Sequence, residues 1–199
     1  MQPLTCALGT LLVCVVSAER THCKRDLLED SFGYIPDAWQ LIATNKLKFH
    51  LMFISNALPS AKKYSCLTTL LTETVKKNKW ARKIIYCTYA NETRLTAWSI
   101  VGSRKARTGC SVYDNLITVS DQGKKKPQLR SRLLYSDYKT CIILWSQSLG
   151  YQVWAEKKHV ETHHEIPYLC VLLYELYAGL DKHWVYDWDV CPKLTSSII

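Results

Sequence analysis

No stretch of this 199-residue chain carries the ~20 uncharged, mostly apolar residues that a transmembrane helix needs; the longest apolar core, Ala7 to Val16, falls well short. Glycine is sparse, seven residues and none of them clustered, so no phosphate-cradling loop is available. A Gly-x-Ser-x-Gly elbow is missing, and so is any Cys-x-x-Cys pair. His159, His163 and His164 lie near Glu161 and Glu165, yet a metalloprotease helix needs glutamate directly after its first histidine, where this chain has Val160. That stretch reads as a solvated linker, with no metal. Acidic residues are in deficit, 17 against 26 Lys and Arg. Together these absences argue against a membrane span, an enzyme, a cofactor and a metal centre.

What is present at the start is a leader. Met1 to Ala18 has no charged side chain and ends Val16-Ser17-Ala18, the small residues a signal peptidase reads, although no Lys or Arg precedes the apolar core. The expectation is a signal peptide over 1–18 and a secreted, soluble, extracellular protein over 19–199. With Cys6 and Cys14 removed, Cys23, Cys66, Cys87, Cys110, Cys141, Cys170 and Cys191 remain, and in an oxidising compartment they read as a disulfide framework. Seven is odd, so one thiol stays free, pairs between chains or belongs to a minor isomer. Asn91-Glu92-Thr93 is the only glycosylation sequon. The net charge of +9 attracts anions in general, glycosaminoglycans among them. Its clusters, Lys76-Lys77-Asn78-Lys79, Arg104-Lys105-Ala106-Arg107 and Lys124-Lys125-Lys126, read as solvated loops. They lack the interleaved aromatics of a nucleic-acid surface.

No Pro/Gly/Ser-rich linker or internal repeat divides residues 19–199, so a single monomeric domain is expected. Asp37-Ala38-Trp39-Gln40-Leu41-Ile42 suits a short helix. β-Prone runs follow at about 46–55, 64–72, 81–90, 93–101 and 111–119. Three more, 129–135, 139–146 and 151–155, are separated by Ser136-Asp137 and Gly150. Pro167 then opens a helix whose Leu169, Leu172, Leu173 and Leu176 recur at helical spacing until Gly179. Eight short strands with local turns predict an all-β fold with flanking helices: an eight-stranded antiparallel up-and-down barrel, with a short N-terminal helix and a C-terminal helix packed outside it.

The block Tyr135-Ser136-Asp137-Tyr138-Lys139-Thr140-Cys141, the pair Val153-Trp154, Tyr168-Leu169-Cys170 and the closing Asp189-Val190-Cys191 resemble the tick salivary lipocalins, the histamine-binding protein family. Asp37-Ala38-Trp39 and Cys66, placed on the second strand, extend the resemblance over essentially all of 19–199. It implies two disulfides, Cys141 with Cys170 and Cys66 with Cys191, and leaves Cys23, Cys87 and Cys110 unassigned. It also implies a frame for biogenic amines: Cys-Asp-aliphatic, then Glu-Leu-aromatic, then Cys. Here Ile142 stands in place of the Asp and Gln152 in place of the Glu.

If Cys141 faces an outer helix, strand alternation turns Ile142 and Leu144 inward, and the resemblance implies that Gln152 and Trp154 are the inward pair on the next strand. Trp39, Tyr86 and Trp98 are further candidates for the lining. Without a carboxylate a buried ammonium is poorly compensated, since aromatic faces return only ~0.5–2 kcal/mol. The expected ligand is therefore an apolar or lipid mediator, whose carboxylate would meet Lys or Arg at the mouth, ahead of a biogenic amine. The expected role is capture of a small host mediator that dampens inflammation or haemostasis. The alternative is a protein-interaction module whose barrel loops inhibit a host complement or clotting protein.

Overall fold

The computed structural model describes residues 25–44, 47–57, 64–75, 79–87, 94–104, 112–121 and 129–196; of these, residues 43, 44, 70–75, 79–87, 94–100, 104, 121, 195 and 196 are described in their backbone alone. The strands are β1 (Phe49–Ile54), β2 (Thr68–Val75), β3 (Lys79–Cys87), β4 (Arg94–Arg104), β5 (Leu116–Asp121), β6 (Leu129–Ser136), β7 (Cys141–Ser146), β8 (Gly150–Glu156) and β9 (His183–Trp184). The helices are α1 (Leu27–Phe32), α2 (Ala38–Thr44), α3 (Lys157–His163), α4 (Tyr168–Ala178) and α5 (Cys191–Ser196). Strands β2 to β8 pair in sequence order, all antiparallel, and β1 pairs with β8 on one edge and β2 on the other. The eight expected strands thus close on themselves, leaving no long free edge.

Closure is uneven. The β1–β2 seam has only two register pairs, Phe49 with Thr69 and His50 with Thr68. Beyond it the same edge of β1 is taken by β9, where Phe53 pairs with Trp184 and Ile54 with His183. The chain between them is stitched by Cys66 N–H to the Val185 carbonyl (3.0 Å) and by Val185 N–H to the Met52 carbonyl (3.0 Å). Cys66 is not on the second strand as expected: it sits in a turn two residues before β2, with φ 54°. The disulfide Cys66–Cys191 anchors that turn to the start of α5.

Two apolar layers explain why β1 is buried at all six positions. Phe49, Leu51 and Ile54 join Ile142, Leu144 and Trp154 in a cluster inside the barrel. Met52 and Phe53 join Ile143, Val153, Leu173 and Tyr174 in a second cluster between the barrel wall and the helices. Strands buried on both faces read as nearly continuous apolar runs instead of alternating ones. Helix α4 lies on that outer wall, held to β7 by the disulfide Cys141–Cys170. Its other face, with Tyr168, Leu169, Leu172 and Leu176, is exposed.

Local chemistry sets the element ends. Asp26 caps α1 by accepting Leu28 N–H, and Gly33 at φ 64° ends it, with Gly33 and Tyr34 N–H closing on the Glu29 and Leu28 carbonyls. Asp37 caps α2, its carboxylate accepting Trp39 N–H (2.8 Å) and Gln40 N–H (3.2 Å). The stretch expected to be a solvated linker is largely helix α3, because Glu156 caps it by accepting His159 N–H (2.7 Å) and Val160 is fully buried under it. α1, α5 and the two-residue β9 carry no signal strong enough to have been expected.

Candidate functional site

Alternation along β7 and β8 builds the site. Cys141 pairs with Ala155 and Ile143 with Val153 facing the helices, so Ile142 beside Trp154 and Leu144 beside Gln152 face the barrel interior. These four side chains line a cavity of about 120 Å³. That is close to the ~150 Å³ engineered cavity that holds benzene. Leu41 and Ile42 of α2 cover one part of it, and Phe49, Val101 and Ile117 come from β1, β4 and β5. No lining residue among the described residues carries a charge.

The polar equipment is small and specific. Gln152, with no solvent exposure, donates through Nε2 to Ser146 Oγ (2.9 Å) and accepts at Oε1 from the Trp154 indole N–H (3.3 Å). Ser146 Oγ also accepts Leu149 N–H (3.2 Å), which fixes it at the β7–β8 turn. Ser131 on β6 adds a buried hydroxyl to the lining.

Trp39 is half-buried against the interior cluster and is outside the lining set. Tyr86 pairs with Leu95 and Trp98 with Lys83 in the β3–β4 ladder; their side chains lie outside the described residues. So do residues 1–18, Asn91, Cys23, Cys110, the side chain of Cys87 and nearly all of the three basic clusters. His159 and His163 stack at 4.5 Å with His163 Nδ1 against the His159 carbonyl (3.1 Å), and no trio of metal-ligating side chains occurs among the described residues.

Sequence reasoning did not single out Leu41, Ile42, Phe49, Ile117 or Ser131 as lining. For Phe49, Ile117 and Ser131 the signal was available only as inward alternation on strands whose partners were unknown; Leu41 and Ile42 lie on α2 and carry no such alternation. It also passed over His50, a fully buried polar residue inside an apolar run. His50 lies on the outer wall, 5.0 Å from the Tyr186 ring, and burial, aided by the Lys157 charge, pushes its pKa down to about 3.

An antiparallel barrel closed around an apolar cavity, with a disulfide-tied helix outside, defines a lipocalin-like small-ligand binder. The family described as tick histamine binding protein matches residues 28–193, and the chain belongs to that family. No curated protein sequence matches it. Among solved structures, one described as the AM182 serotonin complex aligns at 16% identity with a TM-score of 0.55, covering 78% of this chain and 93% of that one. Apocrustacyanin C1 aligns at 10% identity with a TM-score of 0.50, covering 83% of this chain and 94% of that one. At such identities these two likenesses speak for the fold alone.

Proposed function

We propose that this protein is secreted, begins at Glu19 after loss of residues 1–18, and sequesters a small, uncharged or lipid-like host mediator in its barrel, so damping a host response. One observation carries the reading. The cavity is apolar and uncharged, with Ile142 and Gln152 at the two places where the family frame has carboxylates. A protonated amine entering it would lose several kcal/mol of hydration without a counter-charge. An apolar ring or short acyl segment loses nothing comparable and gains burial. The size of the cavity suits such a group, with any longer or charged part of the ligand at the mouth.

A second reading keeps the barrel as a scaffold for contact with a host protein. The exposed stripe Tyr168, Leu169, Leu172 and Leu176 on α4, with Leu180 just beyond, favours it, because contiguous exposed apolar surface marks interaction sites. Native mass spectrometry of protein secreted by a eukaryotic host separates the two. Capture is supported by a mass starting at Glu19, glycosylated at Asn91, with a small apolar molecule retained. A protein that carries nothing and takes up no apolar molecule on titration sinks the capture reading and leaves the scaffold.

A further inference from the structure

The alternation that lines the cavity also fixes what the barrel shows outside. Val101 of β4, Ile117 and Val119 of β5, Leu129 and Ser131 of β6 and Leu144 of β7 line the interior, so Gly102, Thr118, Arg130, Arg132 and Trp145 take outward positions. Register joins these into two rows that cross the sheet. One runs Lys79, Gly102, Thr118, Arg130. The next, two residues further along each strand, runs Arg104, Leu116, Arg132, Trp145, Tyr151. Both rows hold cations and neither holds an acid. Arg130 is exposed, the Arg132 side chain keeps 27% of its surface and Trp145 keeps 42%. Lys79 and Arg104 hold their places by backbone register, and there two of the basic clusters of the sequence join the sheet. Asp26 stands 3.9 Å from Arg132, but its carboxylate also accepts Leu28 N–H and the Tyr177 hydroxyl. At most it offsets one of these cations.

From this we infer that the outer wall over β3 to β7 binds a sulfated polysaccharide of the glycosaminoglycan class, laid across the strands. With strands ~4.8 Å apart, Lys79 and Arg130 are ~14 Å apart, Arg104 and Arg132 ~10 Å, and the two rows ~7 Å. Such a lattice meets the repeated charges of a linear polyanion, whereas a single small anion would use one corner of it. Arginine adds a planar fork that engages two oxygens of one anionic group. Beside Arg132 the second row turns apolar, and there the Trp145 indole can pack on the C–H face of a sugar ring between sulfates. Exposed Trp and Arg side by side is also the composition of binding hot spots. The wall is convex, and a flexible chain can follow it where a flat lipid surface cannot. This adds a second ligand on a face separate from the cavity, so a barrel held on the extracellular matrix would still have its interior free for capture.

A heparin hexasaccharide titrated by calorimetry into the full secreted protein, between about 50 and 200 mM salt, tests the site. Lys79→Ser with Arg130→Ser should weaken binding ~10-fold or more and flatten the slope of log affinity against log salt by about 2, one for each cation removed. Lys158→Ser with Lys193→Ser removes the same charge from exposed positions on α3 and α5, and should cost no more than ~3-fold. Trp145→Ala should weaken binding about 5-fold at an unchanged slope. Fully desulfated heparin should not bind. Uptake of an apolar probe by the cavity should be the same in every variant, which shows that each is folded. Equal losses in the two double variants would mean that net charge alone is read, and would overturn the site. No binding at ~50 mM salt would overturn it too, as would phosphatidylserine vesicles bound as tightly and lost with the same Lys79 and Arg130 changes. None of these outcomes bears on capture, which fails only if the cavity takes up no apolar molecule.

Discussion

Thr68 decides the tautomer of His50. The Thr68 hydroxyl donates to the Cys66 carbonyl (3.2 Å), so at 2.7 Å it can only accept from His50 Nδ1–H, which leaves His50 Nε2 a bare acceptor with no partner among the described residues. Protonating Nε2 would place a cation in the wall between β1, β2, α3 and the 185–188 segment. It would face the Lys157 charge from α3 and the Tyr186 ring, whose neighbouring charges are Glu161 and Asp187. The folded pKa of about 3 is thus below the unfolded value of 6.5, so the unfolded chain binds this proton first. Stability from neutral His50 is whole above pH 6.5 and is lost as pH falls toward 3, at roughly 1.4 kcal/mol per unit. Urea midpoints should fall across pH 6 to 4 in the parent and much less in His50→Gln; parallel slopes would show that His50 is not the group. The cavity supplies the second residue-scale prediction. Ile142→Asp with Gln152→Glu restores both carboxylates of the family frame, and in a low-dielectric cavity they attract an ammonium far more than in water. The double variant should bind histamine or serotonin at least ~10-fold more tightly than the parent by tryptophan fluorescence. Because the two acids can share a proton when the site is empty, each single variant is measured as well. A folded double variant that binds no amine would place these residues away from any accessible cavity.

At the scale of elements, the two tight turns flanking β7 set the register of the lining. Asp137 accepts N–H from Lys139, Thr140 and Cys141 at 2.8–2.9 Å and the Thr140 hydroxyl at 2.5 Å. Burial pushes its carboxyl upward, but these four donors outweigh that and hold its pKa below the ordinary value. At the other end Gly150 has φ 69°, and a Cβ there would meet Ser55 Oγ at 2.1 Å and Asn56 Oδ1 at 2.5 Å. Gly150→Ala should therefore destabilise by about 2–4 kcal/mol in urea unfolding, through backbone strain and displacement of the Ser55 hydroxyl that accepts Tyr151 N–H. A loss under ~0.5 kcal/mol would mean the β1–β8 end adjusts freely. These turns were legible in the sequence because Ser136-Asp137 and Gly150 are strong local punctuation, and α4 because Pro167 and Gly179 bracket its leucines. α3 was not legible: one apolar residue, Val160, among polar ones gives no helical period, and its stability comes from a cap and a buried contact. Of the cavity, Ile142 and Leu144 could be placed by alternation from Cys141, and Gln152 and Trp154 by the family frame they resemble, whereas Leu41 and Ile42 enter only because α2 folds back over the barrel.

Over the whole molecule, the weakest part of the ring is the seam where β1 meets β2, and the chain secures it from a distance. Cys66 and Cys191 are 125 residues apart in sequence, and their bond holds the 185–191 segment against the edge of β1 that β2 leaves unpaired. Cys141 and Cys170, 29 apart, hold α4 to a wall already complete through the β6–β7–β8 ladder. Chain entropy alone gives about 5 kcal/mol for the longer loop and about 3.6 kcal/mol for the shorter. Position widens that gap, because opening the seam exposes Phe49 and Leu51 of the interior cluster as well as Tyr186 outside it. Replacing Cys66 and Cys191 by serine should therefore lower the urea midpoint more than replacing Cys141 and Cys170. It should also release a bound apolar probe at denaturant concentrations where the other double variant still retains it. If the Cys141–Cys170 variant were the less stable of the two, the barrel would depend on α4 for its integrity and not on the seam.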